Sequence, residues 1–305
     1  MRIAHFSDLH LLSLAGVGPH RFLNKRLTGY ANLRLKRGSI HRPAYVRAIA
    51  KEIARQGVDH VVITGDLTNL ALEAEFDLAR EVIKDDLGLD PSRVSIVPGN
   101  HDVYTGGSQK KLRFATYFAD YIQSDLPFLT VSVPAGPFPF VKLRGPVAII
   151  GLSSAVTRLP FVAAGRLGPS QLHALACVLE HPEVKKRTPV IALHHPIHNP
   201  RSRLKSALEG LSDAAELEAL LSGLPRGLVL HGHLHRRMQR ELRTAAGALW
   251  SVGATSASLH HDDQARSAGF NLYEVDDTGA ITHVDAHIFE PDRAAFRVEP
   301  LPQHA

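Results

Sequence analysis

The chain has 305 residues, 44% hydrophobic and 21% charged, with a formal net charge of +5. That is an ordinary soluble composition with apolar material for one large or two small domains, and no apolar run reaches the roughly 18 residues a bilayer span requires. The single cysteine, Cys177, excludes an internal disulfide and a Cys-rich zinc site, while the small charge excess gives no ground to expect a stable nucleic-acid complex.

Taken in chain order, RIAHFSD near the N-terminus predicts a short strand ending in polar residues. Asp8 comes too early for the apolar core of a secretory signal peptide, so the expected location is cytoplasmic. A stretch from His20 to Arg42 follows that is rich in Arg and Lys and carries no acid. In it Phe22, Leu23, Leu27, Tyr30 and Leu33 fall near one helical face, which predicts a basic helical insertion over about 19–42. Two readings of it stand: an amphipathic helix packed on its own core, or one laid through residues 20–37 on an anionic membrane, placing the chain at the inner face.

RPAYVRAIAKEIARQG has helical periodicity with Gly57 as its stop, DHVVITGDLTN is an apolar strand, ALEAEFDLAREVIKDDLG a helix and SRVSIVPGNHD a strand. After a helical stretch near Gln109–Gln123 and a Pro-rich passage come the strand VAIIGLSS and the helix PSQLHALACVLEH, in which Cys177 is expected to be a small core residue. TPVIALHHP, a helix through SALEGLSDAAELEALLSG, and GLVLHGHLH complete the alternation. From Gln239 the pattern turns to consecutive strands, a β-rich C-terminal part of about 239–299. Strands resume on both sides of the Pro-rich passage, so residues 1–305 are expected to form a single α/β domain: two facing sheets with helices outside.

Five of the strand-like runs end in metal-capable residues: Asp8-Leu9-His10, Gly65-Asp66, Gly99-Asn100-His101-Asp102, His194-His195, and His231 with Gly232-His233-Leu234-His235. A chance turn explains one such ending but not five, and in open α/β sheets sites form beyond the carboxyl ends of strands. Asp8 and His10 are two apart, as are His233 and His235, so in extended chain each pair projects to one side. Carboxylates, an amide oxygen and imidazoles make a mixed N/O set that suits Mn, Fe, Co, Ni or Zn better than Ca or Mg. The set exceeds what one ion uses, and two ions sharing a carboxylate would employ all of it.

In this order the blocks resemble the calcineurin-like metallophosphoesterases: D-x-H, G-D, G-N-H-[DE], H and G-H-x-H, running here from Asp8 to His235. The resemblance implies a four-layer αββα sandwich with two facing mixed β-sheets. It implies two divalent or trivalent metal ions, Mn, Fe or Zn, with Mn the best suited to activity. Asp8, His10 and His235 would hold one, Asn100, His194 and His233 the other, with Asp66 bridging. It also implies that a hydroxide between the metals attacks phosphorus while His101 stabilises the transition state and protonates the leaving oxygen. Asp102 is read beside His101 either as an orienting partner for an imidazole or as a turn residue. His195, on the far side of the strand from His194, is expected to be structural, His231 either to back the site or to be a buried histidine, and His260, His261, Asp262 and Asp263 to form a solvated loop or the rim of a substrate mouth.

Protein phosphatases of this superfamily continue as G-D-x-x-D-R-G, whereas here Asn69 stands in place of the acid and no arginine follows. SDLH and GNHD instead resemble the class III cyclic-nucleotide phosphodiesterases, which implies a small phosphodiester as substrate. The basic segment favours the alternative of a pyrophosphatase acting on UDP-2,3-diacylglucosamine. A non-catalytic binding module is the contrasting class, and no motif position is lost in its favour. The oligomeric state is not addressed by any of these motifs.

Overall fold

The computed structural model describes residues 1–18, 40–110, 112–158, 162–199 and 203–302. The amphipathic 20–37 stretch, and with it the membrane reading, lies outside the described residues.

Three short apolar runs, Arg2–Phe6 (β1), His60–Ile63 (β2) and Val94–Ile96 (β3), pair in parallel. Helices Pro43–Arg55 and Glu73–Glu81 make the crossovers between them. Strands covered on both faces need no polar alternation, which is why they read as continuous apolar runs. The Pro-rich passage forms a small hairpin of Val131–Val133 (β4) and Gly136–Phe138 (β5). Phe140–Arg144 (β6) then pairs antiparallel with Val147–Gly151 (β7), and Thr188–Ala192 (β8) and Arg226–His231 (β9) follow β7 in parallel.

The C-terminal strands divide between two sheets. Met238–Arg243 (β10) and Ala248–Gly253 (β11) complete one, and Gly269–Val275 (β12), Ile281–Glu290 (β13) and Ala295–Pro300 (β14) return to the other. The orders are β14-β13-β12-β1-β2-β3 and β10-β11-β9-β8-β7-β6, both mixed. On β7, Val147 and Ile149 face the first sheet, while Ala148 and Ile150 join Leu175, Val178, Leu217 and Leu221 of the outer helices. The alternation therefore builds the expected sandwich, helices outside two facing sheets.

Three local expectations are corrected. SALEGLSDAAELEALLSG is not one helix but two, Arg203–Glu209 and Ala214–Leu221. Between them Asp213 turns its carboxylate onto the N–H groups of Leu167 and Gly168, at 3.0 and 2.7 Å. Cys177 is exposed, because the buried stripe of its helix runs through Ala174, Leu175, Val178 and Leu179. The strand in GLVLHGHLH stops at His231, so His233 and His235 are not extended chain. No helix among the described residues is long and apolar enough to cross a membrane.

Candidate metal centre

The loops that leave β1, β2, β3, β8 and β9 meet at one edge of the sandwich. Past the ends of β1 and β2 the pairing continues loop to loop, with Asp8 N–H on Gly65 O and His10 N–H on Asp66 O, both at 2.9 Å. The alternation expected to set Asp8 beside His10 does not operate. Asp8, His10, Asp66, His233 and His235 all have left-handed backbone, with φ between 44 and 68°. Such residues are uncommon outside glycine, and the strain is held by the surrounding hydrogen bonds. Two glycines permit the crowding. A Cβ on Gly99 would lie 2.1 Å from Asp66 Oδ1, and one on Gly232 would lie 2.3 Å from Asp8 Oδ2.

All seven ligand-type residues converge. Asp8 Oδ2 accepts the His233 N–H at 3.0 Å, while Oδ1 lies 3.0 Å from His235 Nε2 and 3.8 Å from His10 Nε2. Asp66 Oδ2 lies 3.3 Å from His194 Nε2 and 3.9 Å from His10 Nε2. One group of close donor atoms is Asp8, His10 and His235, and another is Asp8, Asp66 and His194. His194 donates its Nδ1–H to Thr64 O at 2.7 Å, so Nε2 is the ring nitrogen turned to the cluster, 3.3 Å from His233 Nδ1.

This arrangement fits a pair of cations. His10 Nε2 and His235 Nε2 stand 3.0 Å apart, and Asp8 Oδ1, His10 Nδ1 and Asn100 Oδ1 are buried with no hydrogen-bond partner. Buried acceptors facing one another are costly unless something positive lies between them. Burial holds His10 well below the ordinary imidazole range and pushes His233 down to about 3, keeping both neutral. Burial opposes the charge on Asp66, but His194 and His101 outweigh it and hold the carboxyl well below its usual range. Neutral imidazoles and ionised carboxylates are the forms a metal binds. For His194 burial is likewise outweighed, by the Asp66 carboxylate, and the ring is pushed up to about 9; a cation would displace that proton.

His101 lies beside these groups. Its backbone N–H donates to Asp66 Oδ1 at 2.8 Å, and its Nδ1–H donates to Asn69 O at 2.7 Å. The ring stacks on Tyr104 and stands edge-on to His10. Asp102, in contrast, contacts no imidazole. Its carboxylate accepts from Gly99 N, Thr68 N and Thr68 Oγ1 at 2.9–3.0 Å and from Leu67 N at 3.3 Å. It clamps the loop after β2 to the loop after β3, which corrects its reading as an orienting partner of a histidine.

Of the remaining histidines, His195 lies close enough to His194 and His233 to form a third group of donor atoms. His195 spends both ring nitrogens on protein, Nδ1 on Ser154 Oγ and Nε2 on Ala163 O, each at 2.8 Å, and packs its ring on His233. His231 is buried at the end of β9 and belongs to none of the ligand groups. In the polar loop His260 meets Tyr45 Oη, His261 Nδ1 accepts the Asp263 N–H, and Asp262 is exposed. Sequence reasoning missed three residues here. Asn69 was read only as a lost acid, yet its Nδ2 donates to His10 O at 2.5 Å while its carbonyl holds His101. His41 stands edge-on to His10, its Nδ1 2.7 Å from Ser258 Oγ, and nothing local in GSIHRP marks it. Arg266, in the polar loop, lines the cavity of about 180 Å³ that opens onto His10, Asp66, Asn100, His101, His233 and His235.

A buried cluster of carboxylates and imidazoles at the carboxyl edge of two facing mixed sheets defines a metallohydrolase. The family model for calcineurin-like phosphoesterases matches residues 1–237, and the chain belongs to that family. Among curated protein sequences no match is found. The fold is similar to a dimetal phosphatase from Danio rerio, at 14% identity over 94% of this chain and 95% of that one, with a TM-score of 0.57. It is also similar to a purple acid phosphatase from seeds of yellow lupin, Lupinus luteus, at 10% identity and a TM-score of 0.57, over 97% of this chain and 52% of that one. Likeness at these identities speaks for the fold alone. Family and ligand cluster together make the chain a metal-dependent phosphoric ester hydrolase.

Proposed function

We propose that the chain hydrolyses small phosphodiesters with a pair of divalent cations, as the class III cyclic-nucleotide phosphodiesterases do. The observation that carries the reading is the clustering of seven metal-capable side chains, five of which line one open cavity together with His101 while Asp8 and His194 are buried beneath it. Asp8, His10 and His235 would hold one ion and Asn100, His194 and His233 the other, with Asp66 shared. When bound, the ions supply Lewis acidity, lowering the pKa of water and offsetting phosphate charge. The protein's own part is positional. Asp66 also accepts the His101 N–H, so the shared carboxylate fixes the imidazole beside the ion sites. Nδ1–H is committed to Asn69 O, and the other ring nitrogen, Nε2, would hand a proton to the departing alkoxide. Asn69 donates its amide to His10 O in the loop after β1, where protein phosphatases carry an acid at that motif position, and this difference favours small diesters over phosphoproteins.

The test is a hydrolysis panel on Mn-loaded protein: cyclic nucleotides, p-nitrophenyl phosphate, bis(p-nitrophenyl) phosphate and UDP-2,3-diacylglucosamine. Cleavage of the bis ester, abolished by chelator and restored by Mn, is expected. Preference for the monoester over every diester overturns the assignment, and preference for the nucleotide-sugar lipid replaces it with the membrane-surface pyrophosphatase.

A further inference from the structure

Among the described residues that line this cavity, only Arg266 carries a fixed positive charge. It belongs to none of the five metal-binding blocks, and Asn69-Leu70-Ala71 offers no arginine on the opposite loop. Among the described residues its guanidinium makes no hydrogen bond or ion pair, and its Nε is buried without a partner. An arginine left unpaired beside a cavity has five donors in a planar fork to offer to whatever enters.

The loop that carries it is built rather than loose. Arg237, 2% exposed, lies two residues beyond His235. Its Nη1 donates to Gln264 O at 2.8 Å, its Nη2 to Ser267 O at 3.2 Å, and its backbone N–H to Ala265 O at 2.7 Å. From the other side Asp263 O accepts the N–H groups of Arg266 and Ser267 at 2.9 and 3.0 Å, while Asp263 Oδ1 accepts that of Ala265 at 2.9 Å. The residues flanking Arg266 are thus tied down, while no described residue bonds its head group. Burying a guanidinium such as that of Arg237 among carbonyls, with no carboxylate bonded to it, costs desolvation energy; the return is a rigid turn that presents Arg266 beside His235.

We infer that Arg266 is the anion-anchoring residue of the substrate site, binding non-bridging oxygens of the phosphoryl group through its guanidinium. The inference rests on the phosphoesterase reading and names the residue that sets affinity for the anion. It predicts that Arg266 acts chiefly on binding, since a fork that holds phosphate oxygens in ground and transition state alike moves KM more than kcat.

The experiment compares the wild type with Arg266→Ala and Arg266→Lys, all Mn-loaded and checked for metal content and melting temperature. Binding of inorganic phosphate is read by calorimetry and hydrolysis of bis(p-nitrophenyl) phosphate by steady-state kinetics. Arg266→Ala is expected to weaken phosphate binding and raise KM roughly ten- to a hundredfold, the usual worth of charged hydrogen bonds. Metal content should be unchanged, Arg266→Lys should recover part of the loss, and so should free guanidinium added to the Ala variant. Arg266→Gln serves the same comparison if the Ala variant melts lower. Unaltered phosphate affinity and KM in a folded, two-metal variant overturn the inference. A wild type that binds phosphate through Arg266 but hydrolyses no phosphoester overturns the enzymatic reading instead.

Discussion

Asp102 shows how a motif residue can serve a motif without joining its chemistry. A carboxylate that accepts four N–H and O–H donors from two loops holds those loops in register, and the loops in turn aim Asp66 and His101. Asp102→Asn leaves one acceptor oxygen and turns an NH₂ group toward donors. The expected result is a loss of about 2 kcal/mol in the urea stability of the metal-free protein, with kcat of the folded Mn enzyme changed only a few-fold. A collapse of kcat at undiminished stability would return Asp102 to the chemistry. Asn69 makes the complementary point. Its identity alone spoke of an absent acid, and only its neighbours show an amide and a carbonyl linking His10 to His101.

At the scale of elements, the centre is made by what happens after each strand stops. The strands supply rigid, apolar stems, and left-handed residues at five positions turn the ligands inward. The stems themselves are stapled at the β3–β6 edge, where Lys142 of β6 donates Nζ–H bonds to Pro91 O and Val94 O, at 2.9 and 2.5 Å. Burial pushes this ammonium down to about 8. Since its folded pKa lies below that of a free lysine, the unfolded chain holds more protons between the two values, and wild-type stability rises with pH there. Below about pH 8 the cost is felt in full. Lys142→Met abolishes the slope, so the stability of wild type minus variant should grow by about 2 kcal/mol between pH 7 and pH 10. Urea titrations across that range check it, and parallel pH profiles would count against a buried, titrating lysine.

For the whole molecule, the decisive feature is that two sheets contribute to one centre. Asp8, His10, Asp66 and Asn100 come from the first, and His194, His233 and His235 from the second. An ion held across that seam binds only the assembled fold. Mn at about a hundred times its dissociation constant should therefore add about 2.7 kcal/mol, raising the melting temperature by roughly 4 °C for a chain of this size. Scanning calorimetry with Mn and with chelator measures it directly. Identical melting curves would mean that the seam holds no ion.

Much of this architecture was legible beforehand because it is written in local pattern. Continuous apolar runs are what doubly covered strands require, helical stripes mark the crossovers, and polar residues bunched after strands mark the carboxyl edge where sites form. The five blocks carried the ligand types in the same way. What the tertiary structure alone decided lies in long-range contact: the break at Gly210–Asp213, made by a carboxylate reaching Leu167 and Gly168, the outward face of Cys177, and the return of β12–β14 to the first sheet. Asp102 as a clamp, His41 against His10, and Arg266 aimed by Arg237 belong there too. Periodicity records which side of a strand or helix is covered; it carries no record of which distant backbone a side chain will meet, and at the rim of this centre those meetings determine what each residue does.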